Sequence, residues 1–202
     1  MDTKKKTLHA TEQDPLAREE WRREAAAIAS EDLVFVDESG ATTAMTRRYA
    51  RSPRGQRACG SVPRNHGKST TLIAALTLDG LGPAMTLEGA VDTEAFVVYT
   101  RELLCPILRP GQVVVIDNLS VHKSERVRAL IEAAKCTLFF LPPYSPDFSP
   151  IELAFSKIKE GLRAAGARTQ TALDNAITDV IETVTRDDSV GWFTHCAYPI
   201  VR

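Results

Sequence analysis

Two short runs of unbroken apolar residues punctuate the chain, LVFVD at 33–37 and QVVVID at 112–117. Continuous apolarity over so few positions, rich in β-branched residues, predicts strands buried on both faces. Two more strands are predicted after the first, at 44–50 before an SPRG turn and at 70–78 (TTLIAALTL) before the turn signal Asp79-Gly80, so that the first half reads as a meander. A further short strand is predicted at 137–141. Helices are predicted at 15–29, rich in Ala, Glu and Arg, and at 92–108, with Asp92 as its cap and Pro110-Gly111 closing it. Others follow at 124–135, 149–165 and about 170–186, and the tail with Trp192, Phe193 and Tyr198 is expected to pack onto the outside. After the first helix the order is β-β-β-α-β-α-β-α. Strand and helix alternate in the second half, which implies right-handed crossovers and parallel strands whose ends share one edge of the sheet. No internal repeat is present.

A length of 202 residues, 44% apolar and 25% charged, suits one domain with a well-buried core and a small appendage. No segment approaches the roughly 18 apolar residues that span a bilayer. The first twenty residues, MDTKKKTLHATEQDPLAREE, have basic side chains with no apolar stretch behind them, unlike a secretory signal, so a cytoplasmic protein with no membrane partner is expected. Cys59, Cys105, Cys136 and Cys196 are far apart and form no CxxC pair, which argues for reduced thiols rather than a zinc knuckle or a disulfide framework. The net charge of −1 conceals an asymmetry: seven basic residues and no acid lie within 47–68, and the remainder of the chain carries −8. Arg47, Arg48, Arg51, Arg54 and Arg57, with Arg64 and Lys68, are therefore a candidate contact to a nucleic-acid backbone, against the plainer reading of a solvated loop.

Asp37 and Asp117 each end an apolar strand. An aspartate there commonly just caps the following turn. If the two strands are neighbours, however, the carboxylates meet a few ångströms apart, where a bridging hard divalent cation would let both ionise. Glu38, beside Asp37, points to the other face if the strand continues, and is set aside. Glu152 has a structural explanation of its own, because Ser149-Pro150-Ile151-Glu152 matches the capping box S-x-x-E with Pro at the first helical position. Gly67-Lys68-Ser69 imitates a phosphate-binding loop, but the glycine required five residues earlier is Val62. Carboxylate-pair glycoside hydrolysis would need an aromatic sugar cleft that 6% aromatic residues can hardly furnish.

Read together, VFVDESG, VVVIDNLSVHK and LPPYSPDFSPIELAFSKIKEGLR resemble the catalytic motifs of the mariner superfamily of DDE transposases, in its bacterial insertion-sequence branch. The 34 residues between Asp117 and Glu152, and a PPYSPD turn leading into a PIE helix, are the most specific part of that resemblance. It implies an α/β, RNase H-like fold with a five-stranded mixed sheet in the order 3-2-1-4-5 flanked by helices. It also implies that Asp37, Asp117 and Glu152 are the catalytic and metal-binding carboxylates, with Mg²⁺ or Mn²⁺, two ions, as cofactor. The activity implied is DNA strand cleavage followed by strand transfer into target DNA, usually at TA. The partners are then transposon ends, target DNA and a second copy of the chain, or a mixed dimer with full-length transposase. Asn118, His122 and Lys123 of the second motif become candidate DNA contacts, with helix capping as the alternative for Asn118 and His122. Tyr144 is a candidate base-stacking residue, or simply packs its turn.

The expected organisation is a linker arm and helix at 1–30, a catalytic core at 31–168, and a C-terminal helix and tail at 169–202. The family's pattern includes a preceding helix-turn-helix region that reads transposon ends, and against that pattern this chain is expected to start inside the linker. The chain is thus expected to be either the downstream frame of a two-frame element or a truncated relic, and the alternative to an active enzyme is a catalytically silent fragment with a regulatory role. Ser120-Val121 and Phe148-Ser149 depart from the family's usual residues and leave the three carboxylates intact.

Overall fold

The two apolar runs are adjacent in space. In the computed structural model, which describes residues 10–119 and 122–200, β1 (Leu33–Ala41) and β4 (Val113–Ile116) pair in parallel, from Leu33 opposite Val113 to Val36 opposite Ile116. The basic arm at 4–6 and the Ser120-Val121 departure lie outside the described residues. Antiparallel to β1 runs β2 (Thr70–Thr77), which pairs in turn with β3 (Gly80–Glu88), while β5 (Thr137–Phe140) lies parallel to β4. The resulting five-stranded mixed sheet has the order β3-β2-β1-β4-β5 and is flanked by helices, the RNase H-like arrangement.

The pleat divides the apolar residues between two faces. Leu33, Phe35 and Val115 meet α1 (Pro15–Ala25), α4 (Pro150–Ala165), α5 (Gln170–Ile181) and α6 (Arg186–His195) through Trp21, Phe155, Ile158, Ile177 and Phe193. Val34, Val36, Val114 and Ile116 meet α2 (Thr93–Tyr99) and α3 (Glu125–Ala133) through Phe96, Tyr99, Val127 and Ile131. Strands covered on both faces read as continuous apolar runs because neither set of side chains sees water. Each such large side chain taken out of water stabilises the fold by roughly 1.5–3 kcal/mol.

Several expectations need correction. Residues 44–50 form no strand: they open an exposed segment at 42–69 without regular structure. The third strand of the meander is instead β3, whose sequence GLGPAMTLE hides it, since Pro and Gly belong in a strand only at an edge, where no ladder bond is lost. The C-terminal tail does pack against the core, but through a helix that the pattern does not announce. It contains α6, and Phe193 and Tyr198 are in the same apolar cluster as Phe35 and Trp21. Helix α1 stops at Ala25, four residues short of its expected end, and the helix begun by Asp92 widens into a π turn at Thr100–Leu104, then tightens at Cys105–Ile107, where Pro106 lacks the N–H that an α-helix would need. Among the described residues no helix is long and apolar enough to cross a membrane.

Candidate active site

Parallel register carries the two aspartates to one edge. Val36 and Ile116 are the last residues paired between β1 and β4, and Asp37 and Asp117 follow them directly in sequence, both on the face toward α4. Glu152 stands in the first turn of α4, directly after the turn PPYSPDF. All three line one cavity of about 550 Å³, together with Glu38, Asn118, Leu119, Tyr144, Ser145 and Ser149. Ser149 makes no side-chain capping bond to α4, so the capping-box explanation of Glu152 does not hold: its only tie to Ser149 is the backbone bond from Glu152 N–H to Ser149 O, 3.2 Å.

Each aspartate has one oxygen engaged by the protein. Asp37 Oδ1 accepts the Glu38 N–H at 2.8 Å. Asp117 Oδ1 accepts the Leu119 N–H at 3.1 Å and lies 2.5 Å from His122 Nδ1. Burial, opposed by the Glu38 N–H and reinforced by the negative charges of Glu38, Glu152 and Asp117, pushes the Asp37 carboxyl up to about 8. An acid so placed needs either a proton or a cation.

Glu38, set aside on the sequence, joins the site from beneath. Because β1 continues to Ala41, Glu38 does point to the opposite face, and there its Oε2 lies 3.1 Å from His122 Nε2, off the line of a well-formed hydrogen bond. The His122 ring is fully buried and packs on Phe96 at 4.3 Å between centroids. As a DNA contact His122 is therefore corrected: the ring has no surface to offer, and both its nitrogens face carboxylates. Burial alone would lower its pKa, but the hydrogen bond with Asp117 and the close negative charges of Glu38 and Asp117 overcome this and raise it to about 9.

The turn that delivers Glu152 is held by α1. Arg18 makes a two-pronged ion pair with Asp147, Nη1 to Oδ1 at 3.0 Å and Nη2 to Oδ2 at 2.6 Å, and donates to Ser145 Oγ at 2.6 Å. This guanidinium holds the Asp147 carboxyl below its usual range. Gln13 donates to the Tyr144 carbonyl at 2.6 Å, where Tyr144 adopts a positive φ of 55°. Trp21 stacks between Phe139 and Phe148, with centroids 5.3 and 5.2 Å away. Nothing in the sequence pattern singles out Arg18 for this work.

The remaining expected contacts lie apart. Arg47, Arg48, Arg51, Arg54 and Arg57 are exposed on the 42–69 segment, and Arg47, Arg48 and Tyr49 form a groove of about 560 Å³ with Ser156, Glu160 and Arg163 of α4. Asn118 is on the wall of the carboxylate cavity, and Lys123 is exposed beside a separate small hollow with Ser124 and Arg128.

A family model described as DDE superfamily endonuclease matches residues 32–174, a span that contains all three carboxylates. No curated protein matches the chain in sequence. Among solved structures, the chain is similar to "Crystal structure of the mariner Mos1 paired end complex with Mg" (TM-score 0.73, 16% identity, covering 98% of this chain and 63% of that one). It is also similar to "Crystal structure of the Mos1 Strand Transfer Complex" (0.72, 17%, 97% and 63%) and to "Crystal structure of the catalytic domain of Mos1 mariner transposase" (0.67, 12%, 94% and 91%). The chain thus spans under two thirds of the first two and nearly all of the isolated catalytic domain, and at these identities the likeness is one of fold. With the family model covering more than half of its residues, the chain belongs to the DDE superfamily endonucleases.

Proposed function

We propose that the chain is the catalytic domain of a mariner-type transposase of an insertion sequence, which cuts DNA at transposon ends and joins the freed ends to target DNA. The observation that carries this reading is the meeting of Asp37, Asp117 and Glu152 in one cavity from three separate elements. In cleavage, a water oxygen bonds to the scissile phosphorus as the P–O3′ bond breaks, leaving a 3′-hydroxyl and a 5′-phosphate. In transfer, that 3′-hydroxyl attacks a phosphodiester of the target, TA-containing DNA in this reading, and the target's own 3′-oxygen leaves.

The residues present fit divalent metal ions. Asp37, Asp117 and Glu152 supply hard oxygen donors, and burial, with the neighbouring negative charges added to it, raises the Asp37 pKa in a way that a cation would relieve. Among the described residues no three His, Cys, Asp or Glu side chains close around an ion by themselves. Mg²⁺ takes one or two protein carboxylates and completes its shell with water and substrate phosphates, so it does not require a closed cage of side chains. When bound, two such ions, Mg²⁺ or Mn²⁺, would neutralise the scissile phosphate and make water a better nucleophile. The Mos1 paired-end complex solved with Mg supports this reading.

The protein's own residues then position the substrate. Arg47, Arg48 and Arg163 offer charge to a DNA backbone along α4, Arg51, Arg54 and Arg57 extend that surface, Asn118 stands at the carboxylate cavity itself, and Lys123 adds a charge beside its own separate hollow. Two copies of the chain would serve the two ends of the transposon.

Nicking of supercoiled plasmid with Mg²⁺ or Mn²⁺, by the chain and by Asp117→Asn, tests the reading. Loss of about 10³-fold or more in the variant is expected, since removing a ligand charge forfeits several kcal/mol of transition-state stabilisation. Nicking that survives both the substitution and EDTA would refute it. If the unsubstituted chain bound DNA and metal without cutting, the catalytically silent alternative would stand instead.

A further inference from the structure

Asp117 follows the last paired residue of β4, so the sheet no longer holds it. Glu38, by contrast, is still within β1 and is paired in register with Ile73 of β2. Between them is His122, fully buried, with Nδ1 2.5 Å from Asp117 Oδ1 and Nε2 3.1 Å from Glu38 Oε2. Phe96, from α2, packs against the ring and limits its tilt. Both carboxylates are on the wall of the cavity and are only partly exposed, 34% for the Asp117 side chain and 20% for Glu38.

We propose that His122 is a positioning residue for the site, a strut that fastens the free end of β4 to β1 and fixes the rotation of the Asp117 carboxylate. This rests on the reading of Asp117 as a metal-binding carboxylate. With Oδ1 held by His122 and by the Leu119 N–H, the other oxygen of Asp117, which accepts no hydrogen bond from the described residues, is left for a cation in the cavity. A ligand carboxylate held in one rotation pays less ordering entropy when the ion arrives, and such supporting groups commonly matter 10–100-fold for metal affinity or activity. A histidine that served only to fill the core would not need carboxylates at both nitrogens, and burying them near each other is costly unless the geometry is used.

The test compares His122→Ala and His122→Asn with the unsubstituted chain. Asparagine keeps a donor near the position of Nδ1 and fills part of the ring's space, so it keeps the proposal falsifiable if the alanine variant fails to fold. Two quantities are read: Mn²⁺ binding followed by electron paramagnetic resonance, and the Mg²⁺ concentration that half-saturates nicking. Loss of Nδ1 is expected to weaken Mn²⁺ binding and raise the Mg²⁺ requirement by roughly 10–100-fold in His122→Ala, with most of the loss recovered in His122→Asn. Folded variants that bind Mn²⁺ normally, or an asparagine variant as impaired as alanine in Mn²⁺ binding, would overturn it. If Asp117→Asn also left Mn²⁺ binding and nicking unchanged, the fault would lie with the assignment of Asp117 rather than with the strut.

Discussion

β1 and the segment that leaves it at residue 42 are consecutive in the chain and opposite in construction. In β1 every charged group is braced: Asp37 by a backbone N–H, Glu38 by its proximity to His122, and both by pairing with β2. From 46 to 68 nearly every residue is exposed, and the segment is fastened mainly at its feet. Arg168 donates to the carbonyls of Thr43 and Met45 at 3.0 and 2.8 Å, and Gln170 donates to Thr70 Oγ1 at 2.7 Å. The difference follows from what each charge is for. In the proposed reading, carboxylates that share an ion must be placed within tenths of an ångström, which packed strands and helices provide and an exposed segment does not. Arginines that meet a phosphate backbone act through long, screened attraction and tolerate a loose support.

The comparison breaks first, and most heavily, at the packed end. Trp21→Ala removes a nearly buried indole stacked between Phe139 and Phe148 and is expected to cost about 3–5 kcal/mol, measured by urea unfolding. A cost under about 1 kcal/mol would mean that α1 does not brace the turn before Glu152.

A middle-sized effect is expected from pH. Asp37 is raised from 3.8 to about 8, so its protonated form is the one the fold favours; its contribution is complete below pH 3.8 and is lost as pH rises toward 8. His122 is raised from 6.5 to about 9, so its contribution is present below pH 6.5 and is lost through pH 9. The metal-free protein should therefore lose thermal stability between pH 6.5 and pH 9, and Mg²⁺ should restore part of it by replacing the proton at Asp37. A melting temperature flat across that window would mean that the carboxylates are not coupled as the geometry indicates.

The open segment should show the smallest change in stability. Arg47→Ala, Arg48→Ala and Arg51→Ala together should shift unfolding by no more than about 0.5 kcal/mol per site. The same triple variant should weaken DNA binding across all sequences and reduce the slope of log affinity against log salt by up to about 3. An unchanged slope would leave this segment a solvated loop.

What was legible in the sequence follows the strength of local signals. LVFVD and QVVVID declared themselves as doubly buried strands, and Ser124 and Asp92 marked helix starts that the structure retains, donating backbone N–H groups to their side chains. β3 was hidden because an edge strand can accept Gly80, Gly82 and Pro83, the residues that otherwise announce a turn. α6 was missed because RDDSVGWFTH lacks an apolar stripe; it is anchored by its Thr185–Asp188 capping box and by Lys157, 2.5 Å from Asp188, which no periodicity reveals.

The sequence by itself determined the strands of the central pair, the helix that bears Glu152 and, through three short motifs, the carboxylates at stake. These properties depend on the near neighbours of each residue, so a local pattern suffices to show them. Only the tertiary structure decided that His122 lies between Asp117 and Glu38, which are far apart in the chain, and that Arg18 grips the turn before Glu152. Those contacts come from parallel register and from helices packed across the sheet, and long-range pairing of that kind leaves no periodic trace in the residues that make it.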